Sequence, residues 1–122
     1  MEIRGKKALG QLGEEMACDF LRSRGHRILA RNWHGSHLEV DVISEGEDGV
    51  HFVEVKTRTD ADAAPEEKVD ARKQQRISAA ALRYLNESGS DREVFFDVIS
   101  VVIDGDRTQL KYFPGAWIPM YT

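Results

Sequence analysis

A chain of 122 residues is long enough to bury one core and too short for two domains of ordinary size. Its 41% hydrophobic and 31% charged content excludes pervasive disorder, and a net charge of −4 argues against an indiscriminate nucleic-acid binder. The single cysteine, Cys18, excludes an intrachain disulfide; with no apolar signal or membrane-spanning run, the expected compartment is the cytoplasm and no membrane partner is expected.

Residues 1–9 read as a flexible basic lead-in carrying Arg4, Lys6 and Lys7, followed by a single domain over 10–122. From Gly10 to Arg24 the apolar positions Leu12, Met16, Ala17, Phe20 and Leu21 recur at helical spacing, and Gly25 suits the residue that ends the helix. Glu14 lies at the edge of that apolar stripe, where a rim glutamate stabilised by the helix dipole is the plainer reading. His26 to Asn32 then predicts a short strand, and Trp33 to His37 a polar bend. Without cysteine partners, His34, His37 and His51 read as surface or loop residues rather than as zinc ligands.

Two strands that carry charge come next. Leu38 to Ser44 and Gly49 to Arg58 are rich in β-branched residues and are joined through the polar turn Glu45 to Gly49, a connection short enough to predict an antiparallel hairpin. Pairing Ser44 with His51 sets Val42 against Val53 and Val40 against Val55 on one face. The other face then opposes Asp41 to Glu54 and Glu39 to Lys56, and a slip of one residue would set polar faces against apolar ones. Directly opposed side chains have Cβ atoms roughly 4.5–5.5 Å apart, so the two carboxylates Asp41 and Glu54 repel and require a cation.

Thr59 to Ala64 reads as a flexible loop beside that site, and Pro65 suits the first position of a helix that is under way by Val69. The apolar face of this helix holds Val69, Ile77, Ala80, Ala81, Tyr84 and Leu85, and it closes near Gly89. Lys73 projects within that stripe: either it snorkels past the core edge or it reaches a polar site under the helix. Arg58, Lys68, Arg72 and Arg76 give the region a basic rim, the best candidate in an acidic chain for a phosphate surface, although a solvated helix face is the commoner source of such charges. Glu93 to Ile103 predicts a buried strand and Gln109 to Phe113 its hairpin partner, with Asp97 read as an edge residue rather than a third acid of the site. The tail from Pro114 to Pro119 reads as irregular, with Trp117 and Ile118 packing on the core or on a second chain.

The order helix, strand, Asp-bearing strand, Glu-x-Lys strand, helix, strand resembles the restriction-endonuclease-like superfamily, the PD-(D/E)xK nucleases. Within it, Gly10-x-x-Gly13-Glu14-x-x-Ala17 with Leu21 and Gly25, Asn32, Glu39-Val40-Asp41-Val42-Ile43, Phe52-Val53-Glu54-Val55-Lys56-Thr57-Arg58 and Lys73-x-x-Arg76-Ile77 resemble the YraN-like family of small bacterial proteins. Leu38 and Phe95 depart from that pattern, which usually has glycine and arginine at those places, and Arg92 offers a substitute for the second.

The resemblance implies an α/β fold with a restriction-endonuclease-like core, a mixed β-sheet whose antiparallel hairpin is flanked by helices. It implies catalytic roles for Glu14, Asp41, Glu54 and Lys56, and a site for Mg²⁺ or Mn²⁺ held by Asp41, Glu54 and the Val55 carbonyl. Arg58, Lys73 and Arg76 would contact nucleic acid, and Glu39 would pair with Lys56. The implied function is a metal-dependent nuclease acting on branched, nicked or single-stranded DNA, since no base-reading module is added to the core. The alternative is a structure-selective nucleic-acid-binding protein without turnover. A homodimer would engage two strands symmetrically.

Overall fold

Seven elements follow one another along the chain: α1 (Gly5–Ser23), β1 (Arg27–Gly35), β2 (Leu38–Gly46), β3 (Gly49–Arg58), α2 (Ala71–Ser88), β4 (Val94–Asp104) and β5 (Arg107–Trp117). They are drawn from a computed structural model that describes residues 5–59 and 68–118. The strands form one sheet in the order β1-β2-β3-β4-β5. Neighbours are antiparallel except β3 and β4, which run parallel because α2 carries the chain back between them. The expected α/β class, a mixed sheet with an antiparallel hairpin and flanking helices, is the observed one. Among the described residues, no helix is long and apolar enough to cross a membrane.

The helices cover opposite faces. Ala17, Cys18 and Leu21 of α1 pack on Val42, Val53, Ile99, Val101 and Ile103. Ile77, Ala80 and Ala81 of α2 pack on Ile43, Phe52 and Phe96. Each large side chain sealed here contributes roughly 1.5–3 kcal/mol relative to exposure. The local signals that end the helices act as the sequence predicts. Gly25 takes φ +87° while its N–H and that of His26 bond back to Arg22 and Leu21, and Gly89 at φ +69° closes α2. One glycine sets a distance instead: a Cβ on Gly13 would lie 1.9 Å from Thr57 Oγ1, so its absence lets α1 sit directly on β3.

Several boundaries differ from expectation. The first helix begins at Gly5 rather than Gly10, because Leu9 adds an apolar turn that packs on the α1 cluster; of the predicted lead-in, residues 1–4 lie outside the described residues. Strand β1 runs on to Gly35, which reduces the predicted bend to Ser36 and His37, and Trp33 pairs with Val40 and meets the Tyr84 ring edge-on. Helix α2 starts at Ala71, where the Asp70 side chain caps the Lys73 N–H, so buried Val69 precedes the helix rather than belonging to it. Of the predicted loop Thr59 to Ala64, residues 60–64 lie outside the described residues, as does Pro65, the predicted first helical position. Strand β5 extends to Trp117, whose indole stacks on Phe96 at 5.1 Å, in place of an irregular tail.

The predicted hairpin register holds from Val42 opposite Val53 to Gly46 opposite Gly49, with Ser44 against His51. Beyond Val42 it does not continue as drawn. Val40 packs with the α2 cluster and Val42 with the α1 cluster, so β2 changes faces at Asp41, and the expected pairing of Val40 with Val55 is absent. Two local features account for this. Asn32, level with Asp41 on β1, has φ +49°, and the Val55 N–H donates to Asp41 Oδ2 at 2.9 Å rather than to a ladder carbonyl.

Candidate metal and phosphate site

The place where β2 and β3 part is where the acidic residues gather. Asp41 is half-buried, and Glu54 is 7% exposed and hydrogen-bonded to it. Glu14 reaches the same place from α1, held by a hydrogen bond from the Asn32 side chain, yet its Oε1 is buried with no partner. Three carboxyls in so little water disfavour their charged forms. Burial first, and the Asp41 carboxyl second, push Glu54 up to about 7. Burial likewise raises Asp41 against the opposing pull of the Val55 N–H and Lys73, and raises Glu14 with Asp41 adding to the effect.

Lys73 is the basic residue bonded into this group. From the first turn of α2 its Nζ reaches 2.6 Å from Glu54 Oε1, which settles the two sequence readings in favour of a polar site under the helix. Burial alone would lower its pKa, but Glu54, Asp41 and Glu39 together raise it, so the ammonium stays charged. Glu14 and Asp41 lie in a cleft of about 580 Å³ together with Val55, Arg58 and Lys6. Lys73 faces a second cleft of about 480 Å³ with Arg72 and Arg76.

The remaining predicted residues have other partners, although Glu39 is near enough to raise the pKa values of Asp41 and Glu14. Lys56 donates to the Lys68 carbonyl ahead of α2. Glu39 lies 3.7 Å from exposed His34 rather than against Lys56, because the hairpin has already opened there. Arg76 ties α2 to the β1–β2 turn through the His37 carbonyl at 3.0 Å. Arg92, the suggested stand-in for a phosphate contact, instead holds the β2–β3 turn through Glu45 at 2.8 Å and the Glu47 carbonyl at 2.6 Å.

A second polar cluster lies past the C-terminal end of α1, and it overturns two readings. His51 is 3% exposed rather than a surface residue, and Asp97 is fully buried rather than at an edge. Asp97 accepts from His51 Nδ1 at 2.6 Å, from the Tyr112 hydroxyl at 2.6 Å and from the Gly115 N–H at 3.0 Å. The other His51 nitrogen bonds Asp48 at 2.8 Å, and Phe95 stacks on the ring. Burial favours neutral His51, but the two carboxylates prevail and raise its pKa. Sequence pattern carried one missed signal here: a histidine and an aspartate, each flanked by apolar residues on strands, are costly to bury unless they find each other.

Among the described residues, no three acidic, histidine or cysteine side chains form a ready ligand shell. Mg²⁺ or Mn²⁺ does not require one, since such ions keep several waters and take one or two carboxylates plus substrate phosphate. The donors fit: two hard carboxylates in contact, a third whose buried oxygen lacks a partner, and pKa values raised by burial and by neighbouring carboxyls.

Known proteins resemble this chain closely in sequence. The family model described as "Uncharacterised protein family UPF0102" matches residues 13–101. A UPF0102 protein of Syntrophomonas wolfei is 36% identical over 91% of this chain and 98% of its own length. One of Myxococcus xanthus is 42% identical over 92% and 90%, and one of Porphyromonas gingivalis 45% identical over 80% and 73%. Among solved structures, that of Pyrococcus furiosus SfsA in complex with Ca²⁺ matches with 15% identity and a TM-score of 0.37, covering 88% of this chain and 61% of that one. The chain therefore belongs to the family UPF0102, the YraN family that its motifs resemble.

Proposed function

We propose that this protein is a metal-dependent nuclease that hydrolyses phosphodiester bonds in DNA and selects its substrate by structure (branched, nicked or single-stranded) rather than by sequence. The observation that carries this reading is the buried, partnerless Glu14 Oε1 beside the paired Asp41 and Glu54 carboxyls, in a cleft that Lys6 and Arg58 also line. Acids that hold a divalent cation next to bases that meet phosphate are what hydrolysis of a polyanion requires.

Asp41 and Glu54 would hold the ion, with the Val55 carbonyl as a further donor and Glu14 ordering its water shell. When bound, the cation supplies Lewis acidity to the scissile phosphate and acidifies water. Lys56 orients the attacking water and offsets the charge that grows on the phosphorus oxygens, after leaving the Lys68 carbonyl. Arg58 and Arg76 contact the nucleic-acid backbone.

A labelled panel of single-stranded, duplex, flapped and four-way-junction DNA, incubated with Mg²⁺ or Mn²⁺, tests this. The parent protein cuts at least one member, and Asp41→Ala and Lys56→Ala each lose about 10²–10³-fold or more in rate. Equal rates in all three proteins would reject the site. One observation favours the second reading, a binding protein without turnover: Lys56 is bonded away from the carboxyls and Lys73 occupies Glu54. Salt-sensitive DNA binding that survives Lys56→Ala, without cleavage by the parent, would select it.

A further inference from the structure

The contact between Lys73 and Glu54 has an uneven geometry. The Glu54 side chain is 8% exposed and that of Lys73 is 54% exposed, so the ammonium comes in from the surface to a buried acid. Its backbone is fixed independently, because Asp70 caps the Lys73 N–H at 2.8 Å, and the side chain can therefore leave without unwinding α2. The ammonium occupies Oε1, an oxygen that a divalent ion at this pair would also need. Lys73 supplies positive charge to Asp41 as well.

We propose that Lys73 is a built-in counter-cation of the Asp41–Glu54 pair, which a divalent metal must displace from Glu54, and that the displaced ammonium joins Arg72 and Arg76 as a phosphate contact. This rests on the metal-dependent reading above. Ammonium and metal at one carboxylate oxygen repel each other in this poorly solvated pocket, so docked Lys73 lowers the apparent metal affinity. Linkage makes the effect reciprocal: a phosphate that draws Lys73 outward strengthens metal binding, and metal binding strengthens the phosphate contact. Metal would thus be retained best when a nucleic acid is present. Lys73 acts here as a positioning residue, setting when the site loads.

Two measurements on the full chain test it. Residue-resolved acylation by a small N-hydroxysuccinimide ester should modify Lys73 faster when Mn²⁺ is added, while Lys111, which lies over the Phe113 ring on β5, reacts at an unchanged rate. Mn²⁺ titration calorimetry should find Lys73→Met binding about tenfold tighter than the parent. Mn²⁺ binding with unchanged Lys73 acylation would overturn the displacement, even if the variant bound more tightly through lost repulsion. Equal affinities would overturn it too. Absence of Mn²⁺ binding in both proteins would overturn the metal reading itself and this inference with it.

Discussion

Two groups of acids lie along α1, the near one beside Glu14 in mid-helix and the far one past its C-terminal end, and their surroundings differ in one respect. In the far group, Asp97 is fully buried and receives three hydrogen bonds, while His51 beside it uses both ring nitrogens. In the near group, Glu14, Asp41 and Glu54 crowd together with fewer donors than acceptors, and one Glu14 oxygen has none. Desolvation opposes both arrangements, but only the first is fully compensated within the protein; Lys73 and the Val55 N–H offset the second in part. The first network is closed within the protein, and the second leaves an acceptor open. Counting buried acids would not have separated the two; counting their donors does.

The comparison breaks most readily at Asp97. Asp97→Ala leaves the His51 ring and the Tyr112 hydroxyl buried without their acceptor, and should cost about 3–5 kcal/mol in urea unfolding. Asp41→Asn removes a repulsive charge and should leave the metal-free protein unchanged or more stable by up to about 1 kcal/mol. Similar losses from both substitutions would mean that the near cluster is structural as well.

Titration sharpens the same contrast. Glu54 is pushed up to about 7 by burial and by Asp41, from an ordinary value of 4.5. Between those values the folded protein holds a proton that the unfolded chain has released, so this group's contribution to stability falls as pH rises from about 4.5 to about 7. Raised His51 acts in the same direction, contributing fully below 6.5 and losing its contribution as pH rises through its folded value. Glu45 and Asp48, both lowered, exert their effects at more acidic pH. Melting temperatures across pH 4.5–8 in EDTA should therefore decline towards neutrality, and Glu54→Gln should flatten part of the decline while leaving the His51 portion. Added Mn²⁺ should reverse the slope in the parent alone, because the metal requires the ionised carboxylate. A parent profile indifferent to Mn²⁺ would reject Glu54 as a ligand.

The register of the β2–β3 hairpin was legible because a period of two leaves one alignment that matches polar to polar, and the structure keeps it from Val42 to Gly46. Its failure at Val40 was not legible. Alternation assumes an unbroken ladder, whereas Asn32 at positive φ and the Asp41 carboxylate bonded to the Val55 N–H end the ladder at the site. Helix ends were readable from Gly25 and Gly89, which impose backbone geometry locally. Packing of Trp117 on the core was one of the two readings, but the extension of β5 through it was not legible, because an edge strand needs a partner to be recognised and Phe96 is distant in sequence. Lys73 was singled out by its place in an apolar stripe, but its target came from tertiary packing.

Gly13→Ala tests how the near cluster is held at the right depth. The new Cβ would meet Thr57 Oγ1 at 1.9 Å and its Cβ at 2.9 Å, so α1 or β3 must move. The cost should be about 1–3 kcal/mol by thermal or urea unfolding, with weaker Mn²⁺ binding because Glu14 is the next residue. Gly10→Ala meets nothing within 4 Å and should be neutral or mildly stabilising in the same assay.

A small effect is expected at Asn32, where the two roles of one residue can be separated. Its φ of +49° is a conformation that most side chains resist, and its side chain also bonds the Glu14 carboxyl and lowers that group's pKa. Asn32→Ala loses the bond and is strained, and should cost about 1 kcal/mol. Asn32→Gly loses the same bond without the strain, so its stability should stay within about 0.5 kcal/mol of the parent. Both variants should raise the Glu14 pKa further, and both should weaken Mn²⁺ binding, the more so the lower the pH. If the glycine variant bound Mn²⁺ like the parent at pH 6, Asn32 would serve the bend in β1 alone, and Glu14 would stand outside the ion's water shell.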